Sequence, residues 1–160
     1  MDTIILEITD IKGNTKITGH EDKIQIMSFS NGVSMHMNRD VSNSERTMGR
    51  PDFQNITLSK MTDQATPGLY GACAGGKDLG VVKLLMGRNE GDTFMPLMTY
   101  TLKNTMVSNI STGGGGSEAM DTFCLDFTEI KVEYTKQGSD SKKQGTAAFG
   151  WDLATNKAVS

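Results

Sequence analysis

Two histidines, two cysteines and a run of four glycines are the features of this 160-residue chain whose types and spacing bear on chemistry. The glycine run lies within Thr112 to Ser117, and bare backbone amides in such a loop can cradle an anion. A phosphate loop also needs Lys-Ser or Lys-Thr at fixed spacing and a helix beyond it. Neither follows here, and the flanks alternate like strands, so the run reads as a hairpin connection. His36 lies in Ser34-Met35-His36-Met37, where two thioethers beside an imidazole offer soft-metal ligands. Without a preorganised frame it reads as an exposed loop histidine. His20 follows Gly19 at a turn, with no triad partner nearby in sequence. Cys73 and Cys124 lack Cys-x-x-Cys spacing and a neighbouring base or cation to favour the thiolate, so both read as unreactive free thiols. Glu129, Lys131 and Glu133 alternate on one strand face and read as a solvated surface with cross-strand ion pairs. No catalytic residue, metal site or cofactor is expected.

The elements that would position these residues are mostly strands. Ile4, Leu6 and Ile8 alternate, as do Ile56 with Leu58, and Phe94, Met98, Tyr100 and Leu102 share one parity. Phe149, Trp151 and Leu153 read as a closing strand. Between Phe127 and Ile130 the apolar parity slips from odd to even, which predicts a β-bulge near Thr128 or Glu129. One helix is expected over 66–75. Thr66 is placed as its cap, Pro67 in its first turn, Gly75 as its left-handed end, and Leu69, Ala72 and Cys73 on its packing face. Turns are placed at Lys12-Gly13-Asn14 and at Arg88 to Asp92. The polar stretch 31–52 has no clean periodicity and reads as a long extended loop.

Composition narrows the classes further. One domain over 1–160 is expected from the length. A net charge of -3 argues against nucleic acid as the main partner and disfavours a basic membrane-surface module. No apolar run exceeds three residues, so neither a membrane helix nor a cleaved signal peptide is expected. Eighteen glycines against three prolines favour turns between short strands. Of the eleven methionines, Met98 and Met106 read as core filler, whereas Met35, Met37 and Met48 in the polar loop read as adaptable contact surface. The fold class is therefore mainly β: a small two-sheet β-barrel with one short flanking α-helix and a long extended loop.

The run ISTGGGGSEAMDTFCLDFTEIKVEY, Ile110 to Tyr134, closely resembles a hairpin of the haemolysin-coregulated protein (Hcp) family of bacterial type VI secretion. Further segments agree in order: Asp10-Ile11-Lys12-Gly13 after the first strand, SMHM at Ser34 to Met37, SKMTDQATPGLYGACAGGK from Ser59 to Lys77, and FGWD at Phe149 to Asp152. The chain departs from the family pattern between Asn38 and Arg50, where polar and charged residues replace a more glycine-rich segment.

The resemblance implies a homo-hexameric ring, with rings stacked into a hollow tube. It also implies a contractile sheath around the tube, a spike protein at its tip and effector cargo in its lumen, with no catalysis by the domain. Localisation would be the bacterial cytoplasm before firing and the target cell or extracellular space afterwards. A 160-residue globule is about 40 Å across, and six equal discs in a ring surround a hole one disc wide. Within this frame the loop residues Met35, Met37, Arg39, Arg46, Met48 and Arg50 are the expected ring-stacking contacts. Met27 and Phe29 share a parity suited to the core, which leaves Ser28 and Ser30 as lumen candidates. The rival classes are an enzyme centred on His20 or His36 and a monomeric soluble β-barrel that binds a sugar or peptide. Low aromatic content, 6%, is poor material for sugar stacking.

Overall fold

The computed structural model describes residues 3–39, 42, 49–91, 93–137 and 143–159. Thirteen strands and one helix lie among them. They run β1 (Thr3–Ile8), β2 (Ile24–Ile26), β3 (Ser28–Ser30), β4 (Val33–Ser34), β5 (Asp52–Phe53), β6 (Ile56–Met61), α1 (Thr66–Ala74), β7 (Val82–Glu90), β8 (Thr93–Lys103), β9 (Met106–Gly113), β10 (Met120–Asp126), β11 (Glu129–Gln137), β12 (Lys143–Asp152) and β13 (Lys157–Ala158). A seven-stranded sheet in the order β13-β12-β11-β8-β7-β1-β2 packs on a four-stranded sheet, β3-β6-β10-β9, and β4 pairs with β5 in a separate ribbon. The ribbon joins the two ends of the polar loop. Leu6, Ile24, Leu84 and Leu102 from the first sheet meet Ile56, Leu58, Phe123 and Leu125 from the second, and α1 adds Leu69 and Ala72. The fold is mainly β with one short helix, as the alternation predicts.

Both phase slips in the sequence are places where the chain changes sheets. β2 belongs to the larger sheet and β3 to the smaller, so Ile24, Ile26 and Phe29 all reach one core. Met27, at the crossing, is 54% exposed and is not core. There is likewise no bulge at Thr128 or Glu129. β10 ends in the smaller sheet at Asp126 and β11 begins in the larger one at Glu129, with Phe127 buried between them. A corner between packed sheets re-aims side chains just as an extra residue would. The register shifts lie elsewhere, one of them between Met86 and Gly87 where β7 meets β8. That shift turns Phe94 away from Tyr100 and Leu102 to a small second cluster with Ile5 and Leu85 on the sheet's outer side, covered by Ile17.

Other expectations also change. Met106 is exposed on the outer side of β9, opposite Asp126, whereas Met98 packs against the core. Tyr134 and Phe149, on the core-facing parity of β11 and β12, remain half exposed because seven strands extend beyond the cover of four. The Thr66 hydroxyl does not cap α1. Ala65 is the N-cap and the Asp63 carboxylate accepts its N–H at 2.9 Å. The left-handed residue after the helix is Gly76 (φ +60), one beyond Gly75. Gly13 makes no turn: the chain turns at Thr9-Asp10, and Gly13 runs so close to the neighbouring backbone that a Cβ would collide with the Lys23 carbonyl.

Candidate functional site

Alternation on β3, β6, β10 and β9 sends every second side chain out of the four-stranded sheet, and the register aligns them in rows. One row reads Ser28, Ser59, Thr122, Ser111; the next reads Ser30, Thr57, Cys124, Asn109. Ser28 and Ser30 are exposed. The Ser28 and Ser59 hydroxyls meet at 2.5 Å, and Thr57 Oγ1 lies 3.4 Å from Cys124 Sγ. Neither row contains a charge. These two middle rows are small, hydroxylated and neutral, with Met61 and Met120 at one end of the face and Asp126 and Met106 at the other.

The polar loop leaves this sheet at the Ser30 end. Ser34, Met35, His36, Met37, Arg39, Arg50 and Asp52 surround a groove of about 500 Å³. Four of the six predicted stacking residues are thus brought together, with Met37, Arg39 and Arg50 exposed. Arg46 and Met48 lie outside the described residues.

Behind the opposite end of the neutral face is a feature the sequence reading missed. Lys60 on β6 and Asp121 on β10 are direct register partners, both fully buried, with Nζ and Oδ2 2.7 Å apart. Lys60 also donates to Asp63 Oδ1 at 2.9 Å and to Thr66 Oγ1 at 3.0 Å. Asp121 accepts from Thr62 at 3.0 Å, Thr112 at 2.7 Å and Thr66 at 2.5 Å. Burial by itself would raise the Asp121 carboxyl. The hydrogen bonds from Lys60, Thr66, Thr112 and Thr62 overturn that and hold it at about 2, against an ordinary 3.8. The cluster ties β6, β10, β9 and the start of α1 together. Its signal was in the sequence: Lys60 continues the inward parity of Ile56 and Leu58, and Asp121 that of Phe123 and Leu125. A charge on each apolar parity foretells a buried pair.

The outer face of the seven-stranded sheet is different again. Lys103 and Glu129 pair across strands at 2.9 Å, and Lys131 meets Glu133 along its own strand at 2.8 Å. His20 lies outside β1, 3.6 Å from Glu7 and edge-on to Phe94, while His36 stands on the loop groove. Cys73 and Cys124 are free thiols. Among the described residues no three His, Cys, Asp or Glu side chains gather as a metal site, and no helix is long and apolar enough to cross a membrane.

Fold and surface together define a two-sheet β-domain that offers contact faces. Residues 5–134 match the family model described as type VI secretion system effector, Hcp. The chain belongs to the Hcp family, a family of secreted type VI secretion proteins. It is 30% identical over 156 residues, 96% of each chain, to Protein hcp1 of Pseudomonas aeruginosa. The fold matches a solved type six secretion system protein with a TM-score of 0.91 at 21% identity, covering 99% of this chain and 100% of that one. It matches Hcp1 from Salmonella typhimurium with a TM-score of 0.81 at 24% identity over 98% of each.

Proposed function

We propose that the chain is the wall subunit of a type VI secretion tube. Six copies close into a ring, rings stack into a hollow tube within a contractile sheath, a spike protein tips the tube, and effector proteins travel in the lumen. The neutral hydroxyl face carries this reading. A channel that holds cargo and then releases it needs a wetted wall without fixed charge, and the rows through Ser28 and Ser30 supply one. The same sheet ends in two unlike edge strands, β3 and β9, the second flanked by α1. Heterologous closure of a ring requires two different patches of this kind and saturates both.

The loop then joins one ring to the next through Met35, Met37, Arg39, Arg46, Met48 and Arg50. Each exposed charge contact contributes about 0 to 1 kcal/mol and weakens with salt; six repeats per interface make a firm, reversible joint. Native mass measurement tests the ring. The expected species is six times the 17.3 kDa chain, and a monomer at tens of micromolar would favour the soluble ligand-binding module instead. Reversing Arg39, Arg46 and Arg50 to glutamate should shorten tubes while hexamers persist. Loss of the hexamer, or unchanged stacking at low salt, would remove the loop from this role.

A further inference from the structure

We propose that Met35, His36 and Met37 bind a soft monovalent metal ion, Cu(I), in the groove at the base of the polar loop. The inference goes beyond the tube reading and stands without it, because every donor comes from one chain. Two thioethers beside an imidazole are a ligand set for a soft metal. In sequence the three donors lacked a frame, and the fold supplies one.

Val33 pairs with Phe53 and Ser34 with Asp52, so the first donor follows directly on a closed ribbon. Below it the Gln54 N–H donates to the Gly32 carbonyl at 2.9 Å, and Asn31 Nδ2 donates to the Gln54 carbonyl at 3.0 Å. Phe53 ties the ribbon to the domain. Its ring centroid lies 6.4 Å from that of Phe127 and 6.5 Å from those of Phe149 and Trp151. Aromatic contacts of this kind add to the burial that holds the ribbon in place. The donors therefore start from an anchored point and not from the middle of a loop.

All three donors line one groove of about 500 Å³, together with Asp52, Arg39 and Arg50. Met35 is half-buried, while His36 and Met37 are exposed, so an ion can reach them. The rotatable bonds of methionine let both sulfurs turn toward a common centre. Charge in the groove then selects the ion. Thioethers and a neutral imidazole bring no negative charge, and one carboxylate stands with two guanidinium groups. A divalent ion would meet a net positive wall, whereas a monovalent ion meets half that repulsion. Magnesium and calcium are disfavoured further, because they take oxygen ligands. The other thioether pair, Met27 and Met61, lines a separate groove with no imidazole.

Competition for Cu(I) against the chelator bicinchoninate tests the site, with ascorbate present and oxygen excluded. The full chain carries Cys73→Ser and Cys124→Ser throughout, so that thiolates cannot capture the metal. One equivalent of Cu(I) per chain should be retained, and Zn(II) should not displace it. Met35→Leu with Met37→Leu conserves side-chain volume. It should weaken binding by about tenfold or more, since losing a ligand costs at least as much as losing an outer partner of one. His36→Gln should weaken it on the same scale, and Met27→Leu with Met61→Leu should leave it unchanged. X-ray absorption at the copper edge should show nitrogen and sulfur neighbours together. Failure of the parent to retain Cu(I), or retention unaffected by losing the loop donors, would overturn the proposal. So would a loss confined to the Met27→Leu, Met61→Leu variant, or a copper edge with sulfur neighbours alone. None of these results bears on the ring, which native mass reads separately.

Discussion

On the four-stranded sheet the outward rows read Ser28, Ser59, Thr122, Ser111 and Ser30, Thr57, Cys124, Asn109; on the seven-stranded sheet they include Glu7, Lys83, Thr101, Lys131 and Lys103, Glu129, Asp152. Both faces cover the same core, and their inward parities are apolar save for the Lys60 and Asp121 pair on the smaller sheet. Folding therefore constrains the inward rows and leaves the outward ones free for function. The two sheets also place charge differently. Lys103 and Glu129 pair at the surface, where screening leaves such a contact worth little, whereas Lys60 and Asp121 pair inside, at no accessible area. The smaller sheet keeps its ion pair off the face that would line a channel.

Removing one partner from each pair sharpens this contrast most. Lys60→Met leaves the Asp121 carboxylate buried with hydroxyl partners only and should lower stability by about 3 to 5 kcal/mol. Lys103→Met should change it by less than about 1 kcal/mol. Urea unfolding of the two variants measures the difference, and similar losses would dissolve the distinction between the sheets.

Acid gives a smaller, graded version of the same test. The Asp121 carboxyl titrates lower in the fold, at about 2, than its ordinary 3.8. Its contribution is therefore present above pH 3.8 and lost as pH falls toward 2. The loss is on the order of 2 kcal/mol by linkage. Asp121→Asn should be less stable at neutral pH and lack this part of the acid slope. An unchanged slope would mean that Asp121 does not carry it.

Changes on the neutral face itself should be nearly silent for folding. Ser30→Phe should leave the ring mass unchanged and alter stability by no more than about 0.5 kcal/mol, while cargo retention changes. A collapsed or monomeric variant would place Ser30 in a packed interior.

Much of the fold was legible because period-two alternation reports burial directly, as at Leu6, Leu58, Phe123 and Leu125. The sheet changes at Met27 and at Phe127-Thr128 were visible as phase slips but were read wrongly. A bulge and a corner between sheets both displace the apolar parity, and one sequence cannot separate them. Phe94 was misplaced for the reverse reason: its parity matches Tyr100, but the shift opposite Met86 and Gly87 intervenes. Lys60 and Asp121 signal burial only through parity, since each continues an apolar alternation, whereas residue type alone would place it at the surface. The neutral face was half visible, since Ser28 and Ser30 lie on one strand, but the rows they begin depend on cross-strand register that no local pattern records.

In the proposed tube the neutral face lines the channel and the charged face does not. Single cysteines at Ser30→Cys or at Lys131→Cys, each with Cys73→Ser and Cys124→Ser, allow both faces to be probed with a small maleimide and with one carrying a bulky polyethylene glycol chain. In an intact hexamer the small reagent should label every subunit at both positions. The bulky one should label every subunit at Lys131→Cys but stop at one or two per ring at Ser30→Cys, because a lumen one subunit wide holds few such chains. Full bulky labelling at Ser30→Cys, with the hexamer mass retained, would show that this face does not line the lumen.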